Sequence, residues 1–575
     1  MNKRKIIIIF VFVTLIVAVF SLYYFKNKDS LNPTSTSVSD INTNVQLDIS
    51  DEKINWSNYE NREIILTKSI TITEEGIYNL SGEITDGLIS IKTDGDVKLN
   101  LNGVTINNSN GPAIYVESAN TVVISTVSET VNSLSDGSNY SGYDEDIEGA
   151  IYSKDDLVLE GEGTLVVNGN KKDAIVCKDD LKINSGTYIV TAKDDGIRGK
   201  DSVYILNGTF NIDASGDGIK STNEVDATKG YVKIENGVFN IVSELDGIQA
   251  ETKILISNGT FNITTGGGSI NSSDKLGWGT FGSSNSTSDS AKGIKAGDSI
   301  VITDGIFVFD TSDDSIHSNN QVGISGGTYT INSGDDAIHA DSELIVDSGE
   351  IDIKKSYEGL EAQTITINGG VIKVVASDDG LNAAGGNDGS AINRKGASSS
   401  MSSSKSTLTI NGGDIYIDAS GDGLDANGSI YINDGYIVIN GPSNNGNGAL
   451  DYDSECKITG GTLIATGSSG MAQGISNSSS QYGVLINFTN NYDSGTNITI
   501  IDANDNEIMQ YTSNKSFSSL VFSSSELSKG NYSVKINGEI YNTFAVSSIS
   551  SVVGRSSVVM NGGQNGPGNP RGRAR

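Results

Sequence analysis

Paired aspartates recur along this chain, each pair followed by a glycine and an aliphatic residue. "DDGIRGKDSVYILNGTFNIDASGDGIKS", starting at Asp194, opens on Asp-Asp-Gly-Ile and returns to Gly-Asp-Gly-Ile before it ends. Aligning each Gly-Ile or Gly-Leu step places Asp173, Asp195, Asp217, Asp246, Lys292, Asp314, Asp336, Glu358, Asp379 and Asp422 two positions before the aliphatic residue. Asp194, Asp313, Asp335 and Asp378 double the charge one residue earlier. Stacked carboxylates raise each other's pKa and oppose folding unless something offsets them. Three offsets exist. Aspartate bonds backbone N–H groups at corners. Basic neighbours can neutralise it, and Arg198, Lys220, Lys295, His317 and His339 fill the outward position after the aliphatic residue. A divalent cation is the third, and calcium suits irregular cages of carboxylate and carbonyl oxygens. Calcium is expected at several corners: at Asp194, Asp195 and Asp217, at Asp313, Asp314, Asp335 and Asp336, and at Glu358, Asp378 and Asp379, with Asp246 and Asp422 in the same column.

The elements that position these acids follow from the interval. The aliphatic step falls at Ile151, Ile175, Ile197, Ile219, Ile248, Ile294, Ile316, Ile338, Leu360, Leu381, Leu424 and Leu450, most often 22 residues apart. Two longer steps contain Gly/Ser-rich stretches near 265–290 and 385–406, which read as inserted loops. Within one step Ile197 starts a very short strand, Val203 and Ile205 alternate in a second, Asn207-Gly208 turns the chain, and Phe210 and Ile212 alternate in a third. Two residues after the aliphatic position comes a small one, such as Gly199, Ala250, Ser318 or Ala383, as a tight corner requires. Cys177 occupies this slot and Cys456 the position of Val203, so the two thiols are expected buried, far apart and unpaired. The pattern predicts an all-β protein: a right-handed parallel β-helix of about 22-residue rungs over residues 61–480. A small β-sandwich-like module over 481–548 and a disordered tail over 549–575 follow. "DANDNE" in that module reads as a hairpin turn, since it lacks the EF-hand spacing.

Bulk composition narrows the function. The formal net charge is -32, the opposite of a nucleic-acid binder. "IIIIFVFVTLIVAVFSLYYF" follows a basic N-terminus and is about as long as one bilayer crossing, so residues 1–25 read as a signal anchor or signal peptide and 26–60 as a tether. The expected location is extracellular, at the cell surface or membrane-anchored.

The repeated DDGI, DDAI and GDGL step, with its Gly-containing turns behind an export segment, resembles the clostridial carbohydrate-binding β-helix proteins over roughly residues 60 to 470. The resemblance implies a calcium-loaded surface that binds cellulose-type or acidic polysaccharides such as pectate, on a fold shared with pectate lyases. A calcium-dependent uronate lyase is therefore the alternative to a binder, with Lys220 as proton-abstracting base and Arg198 as carboxylate clamp. A structural surface rod without a sugar ligand is the third reading. Paired carboxylates could also serve a glycosidase, but a column of similar acids singles out no pair. Trp278 and Phe281 in "LGWGTFG", and Tyr140 and Tyr143 in "SNYSGYDED", sit in loops where exposed rings could stack on sugar faces. The competing expectation is that these rings fold back over the repeat.

Overall fold

The computed structural model describes residues 36–49, 51–144, 147–272, 290–384 and 406–554. Among them the fold is all-β. The helical segments are four single 3₁₀ turns, Val38–Asp40, Asp51–Lys53, Trp56–Asn58 and Ser269–Asn271. One sheet system gathers 45 strands, pairing mostly in parallel, and a second has four antiparallel strands.

Parallel pairing mostly skips two strands, and only one where a long strand such as Ile338–Val346 joins two ladders. Ile197–Gly199, Ser202–Ile205 and Thr209–Ala214 pair with Ile219–Ser221, Tyr231–Ile234 and Val238–Ser243 respectively. Three ladders therefore run through the repeat, and one set of three strands is a rung. The aliphatic column holds residue for residue. Ile151 pairs with Ile175, Ile175 with Ile197 and Ile197 with Ile219. The series continues through Ile248, Ile294, Ile316, Ile338, Leu360, Leu381, Leu424 and Leu450. Ile114, Ile89 and Ile70 extend it below Ile151, in rungs without the acidic signature.

These columns form the core. From Ile89 to Leu450 every aliphatic residue of the ladder is fully buried, with Ile70 at the end partly so, and the small slot beside it holds Cys177, Gly199, Ala250, Ala296, Ser318 and Ala340. In the third ladder Tyr188, Phe210, Phe239, Phe261, Phe307 and Tyr329 stack with centroids 4.6–5.1 Å apart. The turn glycines are tied to this stack. Gly259 has φ +140°, and a Cβ there would meet the Phe261 ring at 2.8 Å, so both the backbone and the space require glycine. Cys177 and Cys456 are buried free thiols.

Residues 36–58, part of the stretch read as a tether, lie along the outer side of the second ladder. Val38 and Ile41 pack on Leu255, Val301 and Ile345, and Ile49 packs on Val123 and Val158. Polar contacts hold the same path: Ser37 Oγ donates to Asp347 (2.8 Å), Lys253 Nζ to the Asn42 carbonyl (2.6 Å), and Lys182 pairs with Asp51 (2.6 Å). The second ladder supplies apolar outward residues at these rungs, so a polar-looking segment with aliphatic residues at Val38, Ile41, Val45, Leu47 and Ile49 docks there. The membrane-length run at 6–25 lies outside the described residues. No helix among the described residues is long and apolar enough to cross a membrane.

At the other end, Thr462–Gly467 pairs antiparallel with Phe517–Ser523, which covers the last edge of the third ladder. The four-stranded sheet of Asn497–Asp502, Glu507–Thr512, Gly530–Ile536 and Glu539–Val546 packs on this extension through Ile486, Phe488, Phe522, Ile500 and Val534. The "DANDNE" stretch is a hairpin turn, with Asp502 Oδ1 accepting from the backbone N–H of Asn504 and Asn506.

Candidate functional site

The acidic column lies at the corner before the first ladder, and each aspartate has two tasks. One oxygen serves the backbone. Asp173 Oδ1 accepts from the N–H of Asp195 (3.0 Å), Asp195 Oδ1 from Asp217 (3.0 Å), and Asp217 Oδ1 from Asp246 (2.8 Å). Asp246 Oδ1 accepts from the N–H of Lys292 (2.8 Å), but a lysine has no acceptor to pass on. The N–H of Asp314 turns instead to Oδ1 of its own neighbour Asp313 (2.9 Å). The chain of bonds resumes from Asp336 to Asp314 (3.0 Å) and from Glu358 to Asp336 (3.2 Å). Further on, Asp379 Oδ1 accepts from Asp422 (2.5 Å). The corner-former expected from sequence thus operates between rungs.

The second oxygen faces cations through the first half of the column. Arg198 contacts Asp173 (2.6 Å) and Glu148 (2.7 Å), and Lys220 contacts Asp217 (2.6 Å) and Asp195 (3.5 Å). Lys295 lies 3.4 Å from Asp246. Lys292, the exception in the column, is wholly buried and bridges Asp313 (2.8 Å) and Asp314 (2.6 Å). His317 meets Asp314 at 2.8 Å, while His339 meets Glu361 at 2.8 Å and Asp336 at 3.3 Å, and the two rings stack at 4.8 Å. Burial works against the charge of Lys220, but Asp217 and Asp195 outweigh it and hold the ammonium protonated above its usual range. Burial likewise works against ionised Asp314, yet Lys292 and His317 keep its carboxyl well below the usual range.

Beyond His339 the compensation stops. The outward position after the aliphatic residue becomes Glu361, Asn382, Asp425 and Asp451 in successive rungs. Among the described residues no lysine, arginine or histidine forms an ion pair with Glu358, Asp379, Asp422, Asp425 or Asp451. Burial, with Asp422 and Asp378 adding to it, pushes Asp379 up to about 7. Burial and neighbouring acids take Asp422 and Asp425 to about 7 as well. Asn382 is only 7% exposed; its Nδ2 donates to Glu358 (2.8 Å), and its Oδ1 has no hydrogen-bond partner. An orphaned buried oxygen among uncompensated carboxylates is a donor set of hard oxygen ligands, which fits calcium.

The predicted clusters are regrouped by the structure. Asp194 and Asp195 converge with Asp173, one rung below, whereas Asp217 turns to Lys220. Of the four acids grouped from sequence, Asp313, Asp314 and Asp335 converge, while Asp336 joins His339 and Glu361. Oδ1 of Asp378 and of Asp379 occupy the space beside Gly421, where a Cβ would collide with them. A Cβ on Gly216 would likewise lie 2.6 and 2.7 Å from Oδ1 of Asp194 and Asp195, so glycine is required above these two pairs, while Asp335 and Tyr357 fill the same place above the other two. A second acid corner, Asp156, Asp179 and Asp180, precedes the second ladder and was missed. Its signal was present in the recurring "SKDDL" and "CKDDL". Burial and neighbouring acids raise Asp156 to about 7 and Asp179 to about 6.

The proposed aromatic anchors are placed in part. Tyr140 and Tyr143 fold back against Tyr115, Tyr152 and Val176, and the Tyr140 hydroxyl donates to Asp136 (2.7 Å). Both rings are half-buried, which answers to the competing expectation, because Ile147, Tyr152 and Val176 give them an apolar surface to join. Trp278 and Phe281 lie outside the described residues.

Comparison with known proteins shows what parts of the chain are similar to. Residues 67–337 match the family model of carbohydrate-binding domain-containing proteins. A carbohydrate-binding domain-containing protein of Acetivibrio thermocellus is 32% identical over 170 residues, 29% of this chain and 58% of that relative. The chain thus spans less than two thirds of the relative's length. A solved structure of a polysaccharide lyase-like protein from C. thermocellum, a gadolinium derivative, is 32% identical, covering 36% of this chain and 91% of that one with a TM-score of 0.35. The likeness to a clostridial carbohydrate-binding protein, read first from the repeat, is shown by the family model and the Acetivibrio thermocellus relative.

Proposed function

We propose that this is an exported polysaccharide-binding protein whose rungs wind as a right-handed parallel β-helix, closed by a sandwich-like C-terminal module, and whose acidic column takes up calcium where its own cations run out. The carbohydrate ligand is supported by the match over residues 67–337. Export is supported by the apolar run at 6–25 behind basic residues. The observation that carries the calcium reading is the change along one column. Protein cations pair with the acids from Asp173 to Asp336, the last of them, His339, also taking Glu361, and among the described residues none pairs with Glu358, Asp379, Asp422, Asp425 or Asp451. Glu358, Asp379, Asn382, Asp422 and Asp425, spread over three successive rungs, are the residues that would hold such ions. Calcium there would supply the missing positive charge and keep these rungs ordered, so its role is structural support of a binding surface. Binding is favoured over cleavage because the Lys220 ammonium is engaged by Asp217 (2.6 Å) and Asp195 (3.5 Å), which favours its protonated form over a free base.

The experiment is retention of soluble and insoluble polysaccharides with and without chelator, followed at 235 nm for unsaturated uronate products. The expected result is calcium-dependent retention with no absorbance rise. Calcium-independent retention sinks the role given to the ion, and an absorbance rise sinks the choice of binder over lyase.

A further inference from the structure

The three ladders present three outer sides, and their fates differ. The corner of the first carries the acidic column, and residues 36–58 lie along the second. On the third, Tyr416 and Tyr436 stand outward on consecutive rungs, each 40% exposed, with ring centroids 6.2 Å apart. They line a cleft of about 500 Å³ between this side and the C-terminal module, which contributes Tyr511 and Asn514. Neither Tyr416 nor Tyr436 uses its hydroxyl in a hydrogen bond among the described residues, whereas Tyr511 is fixed by donating to Asn440 (2.7 Å). At Tyr436 the cleft meets a second depression of about 330 Å³, floored by Gly370, Gly412, Gly413 and Gly435, where bare backbone permits close approach.

We propose that this cleft binds a neutral polysaccharide, with sugar rings laid on Tyr416 and Tyr436 and ring hydroxyls taken by the polar edge. The inference rests on the polysaccharide-binding reading above and adds a place and a sugar class to it. Two adjacent half-exposed rings with unused hydroxyls offer an apolar face and polar edges together, as a pyranose does. Charge selects the class. The charged groups lining the cleft are Asp352, Lys354, Lys373 and Asp418, which balance. Lys354 is paired with Asp352 (2.6 Å), Lys373 with Glu350 (3.5 Å), and Asp418 with Lys515 (2.8 Å). The adjoining depression adds Asp414 and Asp434 and no cation. A polyuronate would therefore find its carboxylates unpaired here, while a neutral chain loses nothing. The site lies beyond the segment that matches the carbohydrate-binding family model, and its strands belong to the rungs that carry Asp379, Asp422 and Asp425. Calcium at those acids would order the same rungs from the opposite edge.

The test is affinity electrophoresis of the full chain, in calcium, through gels containing hydroxyethyl cellulose or polygalacturonate. Tyr416→Ala with Tyr436→Ala should weaken retention by hydroxyethyl cellulose about tenfold or more. The corresponding Phe pair should retain most of it, and the melting temperature should show that both variants are folded. Unchanged retention of hydroxyethyl cellulose by the Ala pair overturns the cleft and leaves polysaccharide binding elsewhere on the protein intact. Retention of polygalacturonate alone, or its equal loss in the Ala pair, overturns the neutral class. If the wild-type protein retains no polysaccharide of any kind, the functional reading falls and the cleft with it.

Discussion

Asp195 and Asp217 occupy the same corner of successive rungs, and the backbone N–H of Asp217 donates to Oδ1 of Asp195 at 3.0 Å. The other oxygen of each faces Lys220. A carboxylate in this column is thus half backbone bracket and half charge partner, and the two halves can be separated by mutation.

Asp195→Ala removes both halves. It should destabilise by about 1–3 kcal/mol, the usual cost of leaving a buried N–H without its acceptor. Asp195→Asn keeps an oxygen for Asp217 and loses only the charge, so its urea midpoint should lie between those of wild type and Asp195→Ala. Equal losses in the two variants would show that the bracket contributes nothing.

Lys292→Met tests the cation inside the column. Asp314 would remain buried without its ammonium partner, and breaking such a pair costs about 3–5 kcal/mol. Asp314→Asn added to Lys292→Met should restore part of that loss, measured by denaturant unfolding. A double variant as unstable as the single one would contradict the charge account.

The C-terminal acids predict an inverted pH dependence. Asp379, Asp422 and Asp425 titrate near 7 in the fold, against about 4 in an unfolded chain. Between these values the folded state binds more protons than the unfolded one, so stability falls as pH rises from about 4 to about 7. Thermal melts in chelator should show this decline. Saturating calcium, which favours the ionised carboxylates, should flatten it, and the difference between the two curves should grow with pH. A calcium effect equal to that of sodium at the same ionic strength would remove the ion from these rungs.

Lys220→Ala separates binder from lyase. Its ammonium is spent on Asp217 and Asp195, so the variant should lose some stability and bind acidic polymer only modestly less well. No absorbance at 235 nm should develop with pectate at alkaline pH in either protein. A calcium-dependent rise in wild type that vanished in Lys220→Ala would make the protein an enzyme, since loss of a general base costs about 10²–10⁴ in rate.

Residues at equivalent positions of a repeat become neighbours when strands pair in parallel and in register, so interval alone decides who stacks on whom. That is why the column from Ile151 to Leu450, the small slot beside it, the buried separate thiols and the line of acids were all legible in the sequence. Charge compensation was half legible: Arg198 and Lys220 could be named beside the acids, but which oxygen each takes depends on the other being used by the backbone above. The rungs of Ile70, Ile89 and Ile114 lie within the predicted repeat but lack the acidic marker, so their register was not legible. Contacts outside the period were decided only by the tertiary structure. Residues 36–58 reach Asp180 and Asp347 across a distance in sequence that no repeat encodes. The cleft likewise joins Lys354, Tyr416, Tyr436 and Tyr511, of which the last comes from a module outside the repeat. Periodicity fixes the neighbours along a stack, and side-chain packing between non-equivalent segments fixes what its outer sides become.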